Sequence, residues 1–289
     1  MNKVLVLMTT YNESLEHLSE AINSLKEQTY TNFDVIIIVD KPDVDEIIKG
    51  YLSNLATLDG RFNIYINKFN LGLANSLNLA FDIMKDKDYA YIARMDADDI
   101  SFPNRFEEQV KYLDNAKDAD LIGTSAITIN EQSDVTGEFN VKLGSVDLDY
   151  GSDSIHPSWM MRFYIFARLS GYRDFRCSQD YDFLCRAKLA GFKIKNINEK
   201  LLYYRIRPNS IGASKKLIQR RIKYHISKNY RGGNLLNVVE PVLNENIMTR
   251  LFEYIEANKK QSRIKYVLMI FSLYHVRNFY LLFKKRSKK

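Results

Sequence analysis

Ala93-Arg94-Met95-Asp96-Ala97-Asp98-Asp99-Ile100 (ARMDADDI) follows directly on the apolar run YAYIA at residues 89–93. A short apolar run of this kind reads as a buried strand, and three carboxylates leave its end within four residues. Such charges repel one another unless water or a cation neutralises them. Mg2+ and Mn2+ favour one or two carboxylates together with substrate phosphate over a cage made only of protein. Asp96 and Asp98 are therefore candidate ligands. From a bare DxD alone a solvated acidic turn capping the helix that starts near Pro103 is the better reading, and the position after YAYIA brings the metal reading level with it.

Outward from this point the chain alternates between two periods. Val4–Met8, Phe33–Val39, Asn63–Ile66, Tyr89–Ala93 and Leu121–Ile129 read as strands, and FDVIIIV at 33–39 is the clearest of them. Residues 15–25, Val44–Leu58, residues 73–84 and the segment after Pro103 carry apolar residues at helical spacing. Alternation of this kind predicts an α/β fold with a doubly wound, mostly parallel sheet. Further on, Ser158–Phe163, Phe192–Ile197 and Leu201–Ile206 read as strands and Tyr181–Leu189 as a helix, while residues 131–154 are polar and irregular. Beyond Pro208 the composition is helical and basic.

Open parallel sheets bind ligands outside the carboxyl ends of their strands. The predicted tips carry Thr10, Tyr11 and Glu13 after the first strand, Asp40 after the second, and Arg94, Asp96, Asp98 and Asp99 at the fourth. Asn70-Leu71-Gly72 opens a helix and can offer backbone N–H groups to a ligand, or be a plain turn. Asp180, in QDYD at 179–182, is either a general base or a carboxylate at a helix start. Trp159, the only tryptophan, follows His156-Pro157-Ser158 and is either a core aromatic or a ring lining a sugar site. No GxxxxGK[ST] or GxGxxG loop occurs, which removes the main support for a kinase, NTPase or dinucleotide enzyme.

The chain has 289 residues, 46% of them hydrophobic, and a net charge of +7. That composition suits a soluble globular protein with a sizeable core. The apolar run at 4–8 is too short for a secretory leader, so none is expected. Cys177 and Cys185 fit no zinc spacing and predict reduced thiols in a cytoplasmic protein. Residues 259–289 contain ten Lys and Arg and no Asp or Glu, so the basic character belongs to the tail. Ile264, Val267, Leu268 and Phe271 there, with the terminal KKRSKK, predict either an interfacial helix on an anionic membrane or a helix packed on the domain. No RRM, KH or helix-turn-helix pattern supports nucleic-acid binding.

Taken together, the segments VLVLMTTYNE, LSEAINSLKEQTYTNFDVIIIVD, NLGLANSLNLAF, YIARMDADD, HPSWMMR, SGYRDF, SQDYDFLCRAKLAGFKI and YRIRPNSI resemble, in order and spacing, the family 2 glycosyltransferases of bacterial surface-polysaccharide type. The resemblance implies a GT-A fold over residues 1–212, with a nucleotide-binding half to residue 100, an acceptor half from 101, and a helical basic extension at 213–289. It implies inverting transfer from a nucleotide-sugar donor, a UDP-hexose or UDP-N-acetylhexosamine, to a saccharide hydroxyl, with the acceptor on a polyprenyl carrier and the enzyme peripheral on the inner face of the cell membrane. By the same resemblance Thr10, Tyr11, Glu13, Asp40, Asn70, Arg94 and Asp96 border the donor, and Asp96 and Asp98 hold Mn2+ or Mg2+. Asp180 is the catalytic base, and His156 and Trp159 face the acceptor. Two departures stand out. Asp40 is followed by Lys41-Pro42 where relatives have a second acidic residue, and Arg207 replaces a histidine that can approach the metal. Arg207 is thus a candidate partner for the diphosphate. A sugar nucleotidyltransferase would carry a Gly-rich basic loop near its start, which VLMTTYNESLE is not. A binding module without catalysis would not require both Asp98 and Asp180.

Overall fold

The computed structural model describes residues 2–207, 216–235 and 238–241. In chain order its first elements are β1 (Val4–Thr10), α1 (Leu15–Lys26), β2 (Phe33–Val39), α2 (Glu46–Leu58), β3 (Phe62–Ile66), α3 (Leu73–Met84), β4 (Tyr91–Asp96), β5 (Ile100–Ser101) and α4 (Arg105–Asn115). They are followed by β6 (Leu121–Ile129), β7 (Val135–Phe139), β8 (Gly144–Ser145), a 3-10 turn at His156–Ser158, β9 (Met160–Arg162), α5 (Phe163–Arg168), α6 (Gln179–Leu189), β10 (Ile194–Arg205) and α7 (Lys216–Arg231). One sheet runs through the molecule in the order β3-β2-β1-β4-β9-β6-β10-β5, with β7 on β6 and β8 on β10. Its long pairings, β1 with β2 and β4, β2 with β3, and β6 with β10, are parallel. The antiparallel pairings are short and involve β5, β7, β8 and β9.

The continuous apolar runs exist because both faces of the sheet are covered. In β1, Leu5 and Leu7 point into a cluster with Leu77 and Phe81 of α3, Phe166 of α5 and Leu184 of α6. Val4, Val6 and Met8 point the other way, onto Leu18 and Ile22 of α1, Leu52 of α2 and Phe106 of α4. Each such side chain, once enclosed, contributes about 1.5–3 kcal/mol. Local signals fix the helix starts. The Ser14 hydroxyl accepts from the His17 N–H at 3.2 Å, and the Asp45 carboxylate accepts from the Ile47 N–H at 2.7 Å.

Three expectations change. The two strands predicted at 192–197 and 201–206 are one strand, β10, whose pairing with β6 shifts register between Ile197 and Lys200 and again before Tyr203. Only residues 160–162 of the strand predicted at 158–163 are extended, because Ser158 closes the preceding 3-10 turn by donating its hydroxyl to the Ile155 carbonyl at 2.7 Å. The polar segment at 131–154 contains β7, an edge strand exposed along most of its length, which has no face to bury and so no apolar alternation. The division placed at residue 100 falls within β5, in one continuous sheet. The boundary at 212 and the tail from 242 lie outside the described residues.

α7 docks against α6. Ile222 and Ile226 enter the same apolar cluster as Tyr181 and Leu184 of α6. Past its end, the Arg173 guanidinium donates to the carbonyls of Leu235 and Val238, and Arg176 pairs with Glu240.

Candidate active site

Register brings the strand tips together. Thr10 is level with Val39, and Thr9 with Asp96, so β1, β2 and β4 end along one line. On the other side of the sheet β10 passes β5, with Tyr203 level with Ile100, which carries Arg205 and Arg207 to the turn at 96–99.

Asp96, Asp98 and Asp99 each present a carboxylate oxygen within 4.8 Å of the others. Asp99 is enclosed. Its Oδ1 accepts from the Arg205 N–H at 2.8 Å, while its Oδ2 is buried with no hydrogen-bond partner. Burial first, and the neighbouring Asp96 and Asp98 charges second, hold the Asp99 carboxyl well above the ordinary range. Burial and then Asp96 push Asp98 up to about 6, against the opposing pull of Arg207. An orphaned buried acceptor beside two partly enclosed carboxylates is a donor set suited to a hard divalent cation. Asp96 and Asp98, the expected ligands, are in place, and the Asp99 oxygen adds to them. Only its membership of the DADD run could have pointed to it in the sequence.

The arginines around the triad divide into fixed and movable. Arg205 is enclosed and donates to the carbonyls of Asp98 and Asn130 and to the Glu20 carboxylate, all at 2.7–2.8 Å. Arg105 donates to the carbonyls of Arg94 and Pro157, both at 2.8 Å, pinning β4 to the 3-10 turn. Arg94, expected beside the diphosphate, is only 1% exposed and donates to the Leu7 and Met95 carbonyls and to Asp96. It is a buried support for Asp96, because β4 lies between β1 and β9 in mid-sheet and leaves it no route to solvent. Arg207 is different: beyond the end of β10, its Nη2 lies 2.7 Å from Asp98 Oδ2 and 3.2 Å from Glu13 Oε1.

The first two strand tips form a second wall. Glu13 Oε2 accepts from the Thr10 hydroxyl at 2.9 Å and the Tyr11 N–H at 2.7 Å, and the Tyr11 ring is half exposed. Asp40 is buried and already engaged. Its Oδ1 accepts from Asn67 Nδ2 and the Leu71 N–H, each at 2.7 Å, and its Oδ2 from the Gly72 N–H at 2.8 Å. Asn70 donates to the Asp40 carbonyl at 3.2 Å. Asp40 therefore shapes the 70–72 loop, where Gly72 adopts a φ of 79° that favours glycine. Asp40 is expected to border the donor, and both of its carboxylate oxygens are already held by the loop.

Asp180 lies in the first turn of α6, partly exposed, behind Ser178, whose φ is 62°. Burial raises its carboxyl first; hydrogen bonds from the Tyr181 N–H and the charge of Lys223 on α7 oppose that, and Asp96 adds to it. The same field reaches two tyrosines. Tyr204 is raised by burial and then by Asp96, Asp99, Asp98 and Asp180 together, and Tyr172 is raised by burial, with Asp180 and Asp96 contributing. Tyr204, Tyr172 and Lys223 escaped the sequence reading because nothing local marks them. The base candidate and the acidic triad therefore share one electrostatic environment.

On the acceptor side one expectation is overturned. Trp159 is fully enclosed, its indole N–H donating to the Ser154 hydroxyl at 2.8 Å, so it offers no surface to a sugar. It packs edge-on against His156 and near Phe183 in the apolar cluster. His156 bonds through Nε2 to the Tyr172 hydroxyl at 2.8 Å, and burial, then the Arg94 charge, keep its ring neutral. Asp182, next to the base candidate, is fully buried between Arg186 at 2.8 Å and Arg173 at 3.4 Å, which fixes it as structural.

An open α/β sheet with an acidic triad at its central strand tip is the architecture of the glycosyltransferases of GT-A fold. The chain matches the profile described as Glycosyl transferase family 2 over residues 5–170, and it belongs to that family. It is 36% identical to an uncharacterised glycosyltransferase of Methanocaldococcus jannaschii over 237 residues, 78% of this chain and 79% of the relative. It is 32% identical to the O-antigen biosynthesis glycosyltransferase WbnJ of Escherichia coli over 201 residues, 68% of this chain and 76% of that one. Among solved structures, residues 1–349 of S. aureus TarS in complex with UDP-GlcNAc superpose with a TM-score of 0.62 at 17% identity, covering 96% of this chain and 75% of that one. The chain spans 45% of a longer TarS chain. The mannosyltransferase PcManGT of Pyrobaculum calidifontis, in complex with GDP-Man and Mn2+, superposes with a TM-score of 0.59 at 14% identity, covering 82% of this chain and 65% of that one.

Proposed function

We propose that the chain transfers a sugar from a nucleotide-sugar donor to a saccharide hydroxyl with inversion at the anomeric carbon. The observation that carries this is the triad of Asp96, Asp98 and Asp99 past the tip of β4, whose carboxylate oxygens lie within 4.8 Å of one another. Asp180 accepts the proton of the acceptor hydroxyl as that oxygen attacks from the face opposite the nucleotide. Its raised proton affinity suits a base, and such help is worth about 10²–10⁴ in rate. Asp96 and Asp98, with the free oxygen of Asp99, would hold Mn2+ or Mg2+, which supplies Lewis-acid stabilisation of the leaving diphosphate. Thr10, Tyr11 and Glu13 border the nucleoside, and the loop shaped by Asp40 presents Asn70 beside it. The Glu13 carboxylate, braced by Thr10 and Tyr11, keeps that wall rigid. No covalent enzyme intermediate is needed.

The kinship with WbnJ supports a place in surface-polysaccharide synthesis. A panel of UDP- and GDP-sugars with Mn2+ tests the donor assignment. One of them should release nucleoside diphosphate, and EDTA should suppress that release. Turnover undiminished by EDTA would remove the metal, and no turnover with any donor would remove the transferase reading. Among the described residues no helix is long and apolar enough to cross a membrane. The basic tail, outside those residues, supports work at an anionic membrane surface, where an acceptor on a polyprenyl carrier would lie. The full chain should sediment with phosphatidylglycerol vesicles and a chain ending at residue 258 should not. Equal sedimentation would contradict the membrane assignment.

A further inference from the structure

One partly exposed arginine of the chain pairs directly with the acidic triad. Arg207 Nη2 is 2.7 Å from Asp98 Oδ2 and 3.2 Å from Glu13 Oε1, which makes one guanidinium the bridge between the metal-side wall and the nucleoside-side wall. Arg94, Arg105 and Arg205 are enclosed and tied to backbone carbonyls. Arg207 is partly exposed, lies past the last residue of β10, and among the described residues pairs with these two carboxylates alone. It can leave without breaking the frame.

A guanidinium on Asp98 Oδ2 competes with a divalent cation for that carboxylate, since two positive charges so close together repel. We propose that Arg207 is an exchangeable counter-ion. Without nucleotide it neutralises Asp98 and Glu13. When donor and cation arrive together, it yields Asp98 to the cation and turns its planar fork onto the diphosphate oxygens, which it suits as a bidentate donor. This rests on the transferase reading and adds a consequence to it. The cation alone must displace Arg207 with no compensating partner for the guanidinium, whereas cation plus diphosphate provides one. Cation and diphosphate therefore bind with positive coupling, and by linkage each tightens the other by the same factor.

The test uses the full chain and needs no turnover. Titration calorimetry measures Mn2+ alone, then UDP and GDP separately at saturating Mn2+, for the parent, Arg207→Gln and Arg207→Lys. Arg207→Gln should bind Mn2+ alone more tightly, by about fivefold or more, and the diphosphate more weakly, by about tenfold, so the two affinities move in opposite directions. Arg207→Lys keeps the charge and loses the fork; it should bind Mn2+ alone like the parent and the diphosphate at an intermediate level. A structural role would move both affinities the same way or neither, and either result overturns the proposal. If the parent binds neither UDP nor GDP, the transferase reading fails and the counter-ion role with it. If the parent binds one of them and Arg207→Gln leaves Mn2+ affinity unchanged, only the counter-ion role fails.

Discussion

Asp180 sits where two charges of opposite sign compete for its proton. Burial and Asp96 favour the acid form, and Lys223 favours the carboxylate. Lys223 approaches from α7 with its Nζ 5.9 Å from the centre of the Tyr181 ring, the residue next to Asp180. A general base works only when ionised, so the acid limb of the transfer rate follows the Asp180 carboxyl. Lys223→Met removes the stabilising charge, and the limb should move to higher pH. The other groups in its field, Asp96, Tyr172, Tyr204 and Cys185, are unchanged by the substitution. The pH profile of kcat/KM measures this, and a limb that stays put or moves down would show that Lys223 does not act on the base. At the same scale, Trp159 shows what a single letter conceals. A lone tryptophan after His156-Pro157 reads as a sugar platform or as core, and only the enclosing residues decide for core.

At the scale of elements, legibility followed burial. β1, β2 and β6 are covered on both faces, so they are apolar over most of their length and stand out in the sequence, with β2 and β6 matching their predicted bounds. β10 is one strand that looked like two, because its register breaks place the exposed Asn198 stretch in its middle and hide its continuity. β7 has no buried face, so no pattern marks it. The DADD turn was visible as charge, and what holds it was not. Arg205 spans from β10 to the Asp98 carbonyl and to Glu20 of α1, a distance in sequence that no local pattern records. The division of labour among Arg94, Arg105, Arg205 and Arg207 likewise depends on which of them the sheet encloses.

Across the whole molecule, one sheet joins two tasks. Its β1, β2 and β4 tips form the walls of the proposed donor site, and Asp180, the proposed base, opens α6. The family match covers residues 5–170 and ends before Asp180, so the base role proposed for Asp180 rests on the resemblance of the QDYD segment and on the position of Asp180 in the first turn of α6. That assignment is also what separates an enzyme from a module that only binds nucleotide sugars. Asp180→Asn preserves size and can still sit at a helix start, so the fold should persist, while an amide cannot take a proton at neutral pH. The most direct measurement is transfer rate and nucleoside diphosphate affinity for this variant side by side. Transfer should fall by about 10²–10⁴ while the affinity stays within about threefold of the parent. Undiminished transfer would contradict the account, and Asp180 would then be a cap on α6 with the base elsewhere.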